Sequence, residues 1–296
     1  MADAQTDYAI YRQVVTRLLG GEEELPSLPA ITLSIRRELM RPEVSLQQLS
    51  ALISRDPALS ALLMKYASSS LLRQQRPPKT LLDVLSILGM AQVERITMLH
   101  SVKSLFTLYS PAHKKLFVEA WERLILKASS VAVLARVVGH VSADHALLAC
   151  LLSEVGTLAV LSAFKDGQQI PSRDLYFSLC REYSKSLGVI LLKKWAVSED
   201  YIQIIRHAGD WSHRARIEVE LIDLVNLGLY HAVKELNPQA DLPPLNELAA
   251  YNKLQAPLNF IDEQGELTLL SSHRDEIYAL AATLRHPDLL RLDLGI

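Results

Sequence analysis

The stretch ALLACLLSEVGTLAVLSAF, Ala146 to Phe164, fixes the kind of protein to expect. Its length approaches that of a membrane span. However, Ser153, Glu154, Thr157 and Ser162 interrupt it, and an acid in mid-span is costly in lipid. The stretch therefore reads as one buried core helix, with no membrane insertion. At 100° per residue, Leu147, Leu151, Glu154 and Leu158 share a face. Glu154 is then centred on an apolar stripe. A carboxylate so placed must be protonated, paired with a cation or set in a wet cleft.

The rest of the chain agrees with a helical protein. Of 296 residues, 49% are hydrophobic and only 6% aromatic, with Leu and Ala dominant. Such side chains lose little freedom in helices, and few segments alternate with a period of two, so the expected fold class is all-α. The 31 basic and 33 acidic residues balance to a formal charge of −2. Basic pairs such as Arg36-Arg37 and Lys193-Lys194 are scattered among acids, which argues against nucleic acid as a partner. Cys150 and Cys180 lie in apolar contexts outside any CxxC pattern and read as buried, reduced thiols. The opening MADAQTDYAIY has no basic or apolar run of a signal peptide. A cytoplasmic location follows as the expectation.

Helix starts are well marked. Ser45 with Gln48, and Thr80 with Asp83, have the spacing of capping boxes. Asp56 precedes Pro57 as a cap precedes a first-turn proline. Ser142, Ser198 and Ser272 offer further caps. Connections are expected at 73–79, 109–114, 164–172 and 237–244. The segment LNFIDEQGELTLL, 258–270, reads as a hairpin about Gly265. The organisation expected is an N-terminal helix over 1–24, a helical lobe over 25–110, a helical bundle over 111–235 and a C-terminal extension over 236–296.

Several segments together resemble the HDOD family, the HD-related output domains of bacterial signalling proteins. LPSLPAITLSIRREL, from Leu25, resembles that family's paired Leu-Pro entry, and LISRDPALSALLMKYASSS, from Leu52, its most recognisable helix start. TLLDVLSILGMAQVERI, from Thr80, is similar to the segment in which a Leu-Gly turn joins two helices. ALLACLLSEVGTLAVL resembles the helix that carries the His-Asp pair in HD phosphohydrolases. LGVILLKKWAVSEDYIQIIRHAGDW and LIDLVNLGLYHA resemble the later helices.

The resemblance implies a two-lobed helical fold whose second lobe is HD-like. It also implies the loss of the metal site. Ser153 and Glu154 stand where the phosphohydrolases carry His-Asp, and serine does not replace imidazole as a ligand. The family's first metal histidine falls on AWERLILKASSVAVLAR, Ala120 to Arg136, where Lys127 or Arg123 takes the equivalent position. His207 best fits the later histidine pattern, with Ala208 where a second histidine often follows. Lys127, Ser153, Glu154 and His207 are thus the expected lining of a degenerate cleft, with no catalytic residue, metal or cofactor. Lys127 or His207 is the expected partner of Glu154; a ligand pocket and a surviving metal ligand are the alternatives. The implied function is a non-catalytic signalling module that binds a partner protein or small ligand. The rivals are a residual phosphohydrolase or cyclic-nucleotide phosphodiesterase, and a small-molecule receptor using the vacated cleft.

Other candidates carry less. Asp144-His145 reverses the HD order but sits in a first turn, where the acid suits the helix dipole and the histidine is expected to be exposed. Ser129-Ser130 lacks a nucleophile elbow and suits close helix packing. Gly20-Gly21 precedes three glutamates that repel phosphate.

Overall fold

The computed structural model describes residues 15–17, 19–20, 26–68, 78–105, 111–139, 141–164, 171–214 and 216–285. Most of the expected N-terminal helix, and the expected connections over 73–77 and 165–170, lie outside these residues. Among the described residues the elements are helical, joined to a single isolated β-bridge. The protein divides into two compact units, one over Ser27–Thr107 and one beginning at Leu108.

The first unit contains α1 (Ala30–Leu39), α2 (Leu46–Ile53), α3 (Pro57–Ala67), α4 (Leu81–Leu88) and α5 (Met90–Leu105). Its helix starts follow the caps in the sequence. Ser45 accepts from the Gln48 amide, and Asp56 Oδ1 from the Leu59 amide at 3.0 Å, with Pro57 in the first turn. Thr80 and Asp83 form a complete capping box. Gly89, at φ +72°, makes the turn between α4 and α5, a conformation that costs a residue with a Cβ. Ile35, Leu49, Leu63 and Ile96 are fully buried in the core of this unit.

The second unit is organised around α6 (Pro111–Val138), a 28-residue helix. Residues 111–114 of the expected connection are helical, because Pro111 already starts α6, where its missing N–H is no loss. Packed on α6 are α7 (Ala143–Ser153), α11 (Leu221–Leu236) and α13 (Arg274–Arg285). The short α8 (Val155–Ser162) lies against α9 (Arg173–Lys194), and α10 (Glu199–His207) packs on α7 and α9. Two glycines permit the close crossings. A Cβ on Gly156 would meet the Ser184 carbonyl oxygen at 1.8 Å, and one on Gly228 would meet Val131 Cγ2 at 2.2 Å.

Three further expectations about local secondary structure are corrected. First, 146–164 is not one helix: it breaks at Glu154, whose backbone (φ −109°, ψ 3°) ends α7 and precedes α8. Ser153 Oγ donates to the Cys150 carbonyl and Thr157 Oγ1 to that of Glu154, each at 2.6 Å. Such local bonds compete with the helical ladder. The window His145–Ser162 passes for a membrane span by length and composition, yet 83% of it is buried inside the protein. Second, the 258–270 hairpin is a single bridge, Ile261 to Leu267. Gly265 does turn (φ +73°), and Asp262 Oδ1 accepts from the amides of Gln264 and Glu266. Phe260 and Ile261 remain exposed, however, so only the second arm buries apolar side chains, Leu267 and Leu270, and α12 (Thr268–Ser271) begins at once. Third, Ser272 does not cap the last helix. His273 takes that place, its carbonyl accepting from Ile277 at 3.0 Å.

Ser142 caps α7 as read. His145 is half-buried instead of exposed, edge-on to Tyr201 with ring centroids 5.3 Å apart.

The C-terminal segment is tied to the bundle. The Ala249 amide donates to the Trp211 carbonyl at 2.9 Å. Lys253 Nζ lies 2.7 Å from Asp223 Oδ2, both side chains buried. Arg136 pairs with Glu276 from α13.

Candidate functional site: the lysine-filled cleft

Lys127 lies near the middle of α6 and is fully buried. Its position follows from the helical repeat: Leu124, Val131 and Leu134, on the same side of α6, are buried with it. Gly228 lets α11 approach the α6 backbone here, with the Lys127 carbonyl 3.1 Å from where a Cβ would stand. The ammonium reaches the α7–α8 break. Nζ donates to Ser153 Oγ at 2.8 Å and to Glu154 Oε1 at 2.7 Å. Ser153 Oγ donates a hydrogen bond to the Cys150 carbonyl, so the hydroxyl both accepts and donates.

The break gives Glu154 its reach. Backbone bonds around it span three residues, from the Glu154 amide to Leu151 O (3.3 Å) and from the Thr157 amide to Glu154 O (3.0 Å). The carboxylate faces Lys127 with its side chain 16% exposed. Burial alone would push the Glu154 carboxyl up. The Lys127 ammonium, then Arg123 and the hydrogen bond from Lys127, outweigh it and hold the group below its usual value. Glu154 is therefore an anion at neutral pH.

The surroundings are inert. Burial pushes the Cys150 and Cys180 thiols up to about 12, which leaves no thiolate to act as a nucleophile. The Tyr176 hydroxyl donates to the Thr157 carbonyl at 3.2 Å, and burial raises its pKa well above the usual value. The arrangement can hold charge and shape, and neither of these thiols is an activated nucleophile.

Of the four residues expected to line the cleft, three converge and one does not. His207 has no hydrogen bond or ion pair to Glu154. It ends α10, stacks on His213 with ring centroids 4.0 Å apart, and lies 3.9 Å (Nδ1) from Asp210 Oδ2. Burial, then His213, hold its pKa below the usual value. Arg123, the other cation placed at this position by the sequence, contributes its field without a hydrogen bond to Glu154. Asp210 and His213 were missed by the sequence reading. The signal was present as HAGDWSH, with each ligand-type residue three positions after the last.

The comparisons with known proteins agree on the fold. A family model described as HDOD domain matches residues 25–211. Among solved structures, an HDOD domain protein of unknown function from Geobacter sulfurreducens is 18% identical, with a TM-score of 0.60 over 95% of this chain and 98% of that one. A Shewanella amazonensis SB2B protein, whose name proposes a metal-dependent phosphohydrolase, is 19% identical, with a TM-score of 0.70 over 94% of this chain and 99% of that one. A Marinobacter aquaeolei VT8 protein, whose name proposes a role in signal transduction, is 20% identical, with a TM-score of 0.54 over 95% of this chain and 67% of that one. No curated protein matches. The resemblance of this stretch to HD phosphohydrolases implies a metal beside the residue pair at 153–154, and the residues here do not fit one. The carboxylate is already paired with the Lys127 ammonium, which repels a second cation, and the Ser153 hydroxyl is engaged on both sides.

Proposed function

Because the chain belongs to the HDOD family, we propose that it acts as a non-catalytic signal-transduction module, binding a partner protein or small ligand in the cytoplasm. The observation that carries this reading is the Lys127 ammonium within 2.8 Å of both Ser153 and Glu154. A fixed internal cation does for the folded cleft what a metal does for the enzymes: it neutralises the carboxylate. It does not polarise a phosphate or lower the pKa of a bound water, the two terms on which metal-assisted hydrolysis depends. The neutral thiols of Cys150 and Cys180 supply no substitute. A module of this kind works through its surface and its stability.

The name of the Shewanella neighbour favours the rival reading, a residual phosphohydrolase or phosphodiesterase. Hydrolysis assays separate the two. Purified chain is incubated with phosphomonoesters, cyclic nucleotides and cyclic dinucleotides, with and without added divalent cations. No turnover above buffer is expected. Turnover that disappears in Glu154→Ala would overturn the proposal. For the receptor alternative, a ligand that protects wild type against heat but not Lys127→Met would place binding in the cleft.

A further inference from the structure

The turn after α10 gathers three metal-ligating side chains that the lysine-filled cleft does not use. His207 ends the helix, and Asp210 and His213 follow at intervals of three. One imidazole nitrogen from each histidine and a carboxylate oxygen all lie within 4.8 Å of one another.

The turn is braced from outside. Gly209, at φ +80°, reverses the chain after the helix. Asn226 on α11, only 3% exposed, holds the reversal from below. Its Oδ1 accepts from the Gly209 amide at 2.9 Å, and its Nδ2 donates to the carbonyls of His207 (3.4 Å) and Asp210 (3.2 Å). The carboxylate is oriented as well. Ser212 donates to Asp210 Oδ1 through its hydroxyl (2.9 Å) and its amide (3.2 Å). That leaves Oδ2 on the side of His207. Outer hydrogen bonds of this kind, fixing a ligand's orientation, accompany metal sites generally.

We propose that His207, Asp210 and His213 form a binding site for a first-row divalent transition metal, with zinc as the best match. Two imidazoles and one carboxylate suit zinc and its neighbours, whereas calcium and magnesium take oxygen sets. Metal bonds of about 2.1 Å set the donors of a tetrahedron about 3.4 Å apart. The three donors need to contract by about 1.4 Å at most, and ring rotation supplies that for side chains at the surface. His207 and Asp210 are 33% and 42% exposed. A bound ion would keep at least one position open to water or to a ligand from a partner. The site shares no ligand with the Lys127–Glu154 pair and stands whether or not that pair governs function.

The test uses the full chain, stripped with a chelator and dialysed, then titrated with Zn²⁺ by calorimetry. One equivalent is expected. Asp210→Asn and His213→Ala should each weaken binding by more than about tenfold, and Ser212→Ala by about tenfold. Glu154→Gln should leave binding unchanged. Co²⁺ in place of zinc should give visible bands that vanish in His213→Ala. Each variant is checked by its metal-free melting curve, with His213→Gln as the second form at that position should His213→Ala not fold. An isotherm with no one-equivalent step overturns the proposal. So does a step that survives in His213→Ala and His213→Gln, or one that is lost in Glu154→Gln while its melting curve shows it folded.

Discussion

Lys127 Nζ and Glu154 Oε1 stand 2.7 Å apart, the lysine side chain 1% exposed and the glutamate 16%. The lysine holds the Glu154 carboxylate ionised away from water. Removing one partner of such a buried pair costs about 3–5 kcal/mol, because the remaining charge is uncompensated, whereas replacing both with apolar groups is far milder. Lys127→Met and Glu154→Leu should each lower stability by about that amount. The double variant should lose clearly less than the sum. Denaturant unfolding of the four proteins measures the coupling, and strictly additive losses would refute the pairing.

The two glycine crossings predict a different kind of damage. In Gly156→Ala the new methyl meets a backbone carbonyl, Ser184 O at 1.8 Å, which no rotamer change relieves. In Gly228→Ala the nearest atom is Val131 Cγ2 at 2.2 Å, with the Lys127 carbonyl behind it. Overpacking of this sort costs about 1–3 kcal/mol, and more where backbone must move. Both variants should melt earlier than wild type, and Gly188→Ala, whose closest contact is the flexible end of Ile205 at 3.0 Å, should lose less than either.

How much of this was legible in the sequence depends on the range of the interaction. Ser45, Asp56 and Thr80 act within a single turn, so their caps could be read directly. Lys127 could be named as partner to Glu154 because the wheel turns Glu154 inward and the HDOD resemblance puts Lys127 where the first metal histidine falls. The break at Glu154 was not legible. It depends on Ser153 and Thr157 bonding to backbone, which their residue types permit without requiring. The 258–270 segment alternates like a hairpin, but whether its arms pair over more than one bridge depends on a neighbouring surface. The same limit hid His213, brought back to His207 by Gly209 and by Asn226 from another helix.

Acid should weaken the fold in two windows. Burial holds the His231 imidazole below its usual 6.5, and its Nε2 is buried with no hydrogen-bond partner among the described residues. The unfolded chain therefore takes up this proton first. Stability from the neutral ring is present above about pH 6.5 and declines as pH falls below it. Glu154 adds a second window. Its folded value is held below 4.5, so its contribution is full above about 4.5 and is lost as pH falls through the folded value. Melting curves from pH 7.5 to 5.5 should fall less steeply for His231→Gln than for wild type. Equal slopes would remove His231 from the account.

The thiols give a simple probe of packing. With burial pushing Cys150 and Cys180 up to about 12, neither should react with a thiol reagent at neutral pH while the chain is folded. Two equivalents should appear on addition of denaturant. Rapid labelling of the native protein would show that the α7 or α9 packing opens easily.

The buried Asp223–Lys253 pair bears on where the chain can be cut. The family match ends at residue 211, before α11 and the irregular segment that carries Lys253. A fragment trimmed after α11 would strand the Asp223 carboxylate in an apolar interior and leave the Trp211 carbonyl without the Ala249 amide. The stretch that the family model matches is thus shorter than the stretch that must be made together. Expression trials designed on the matched portion alone would leave out partners that the folded bundle uses.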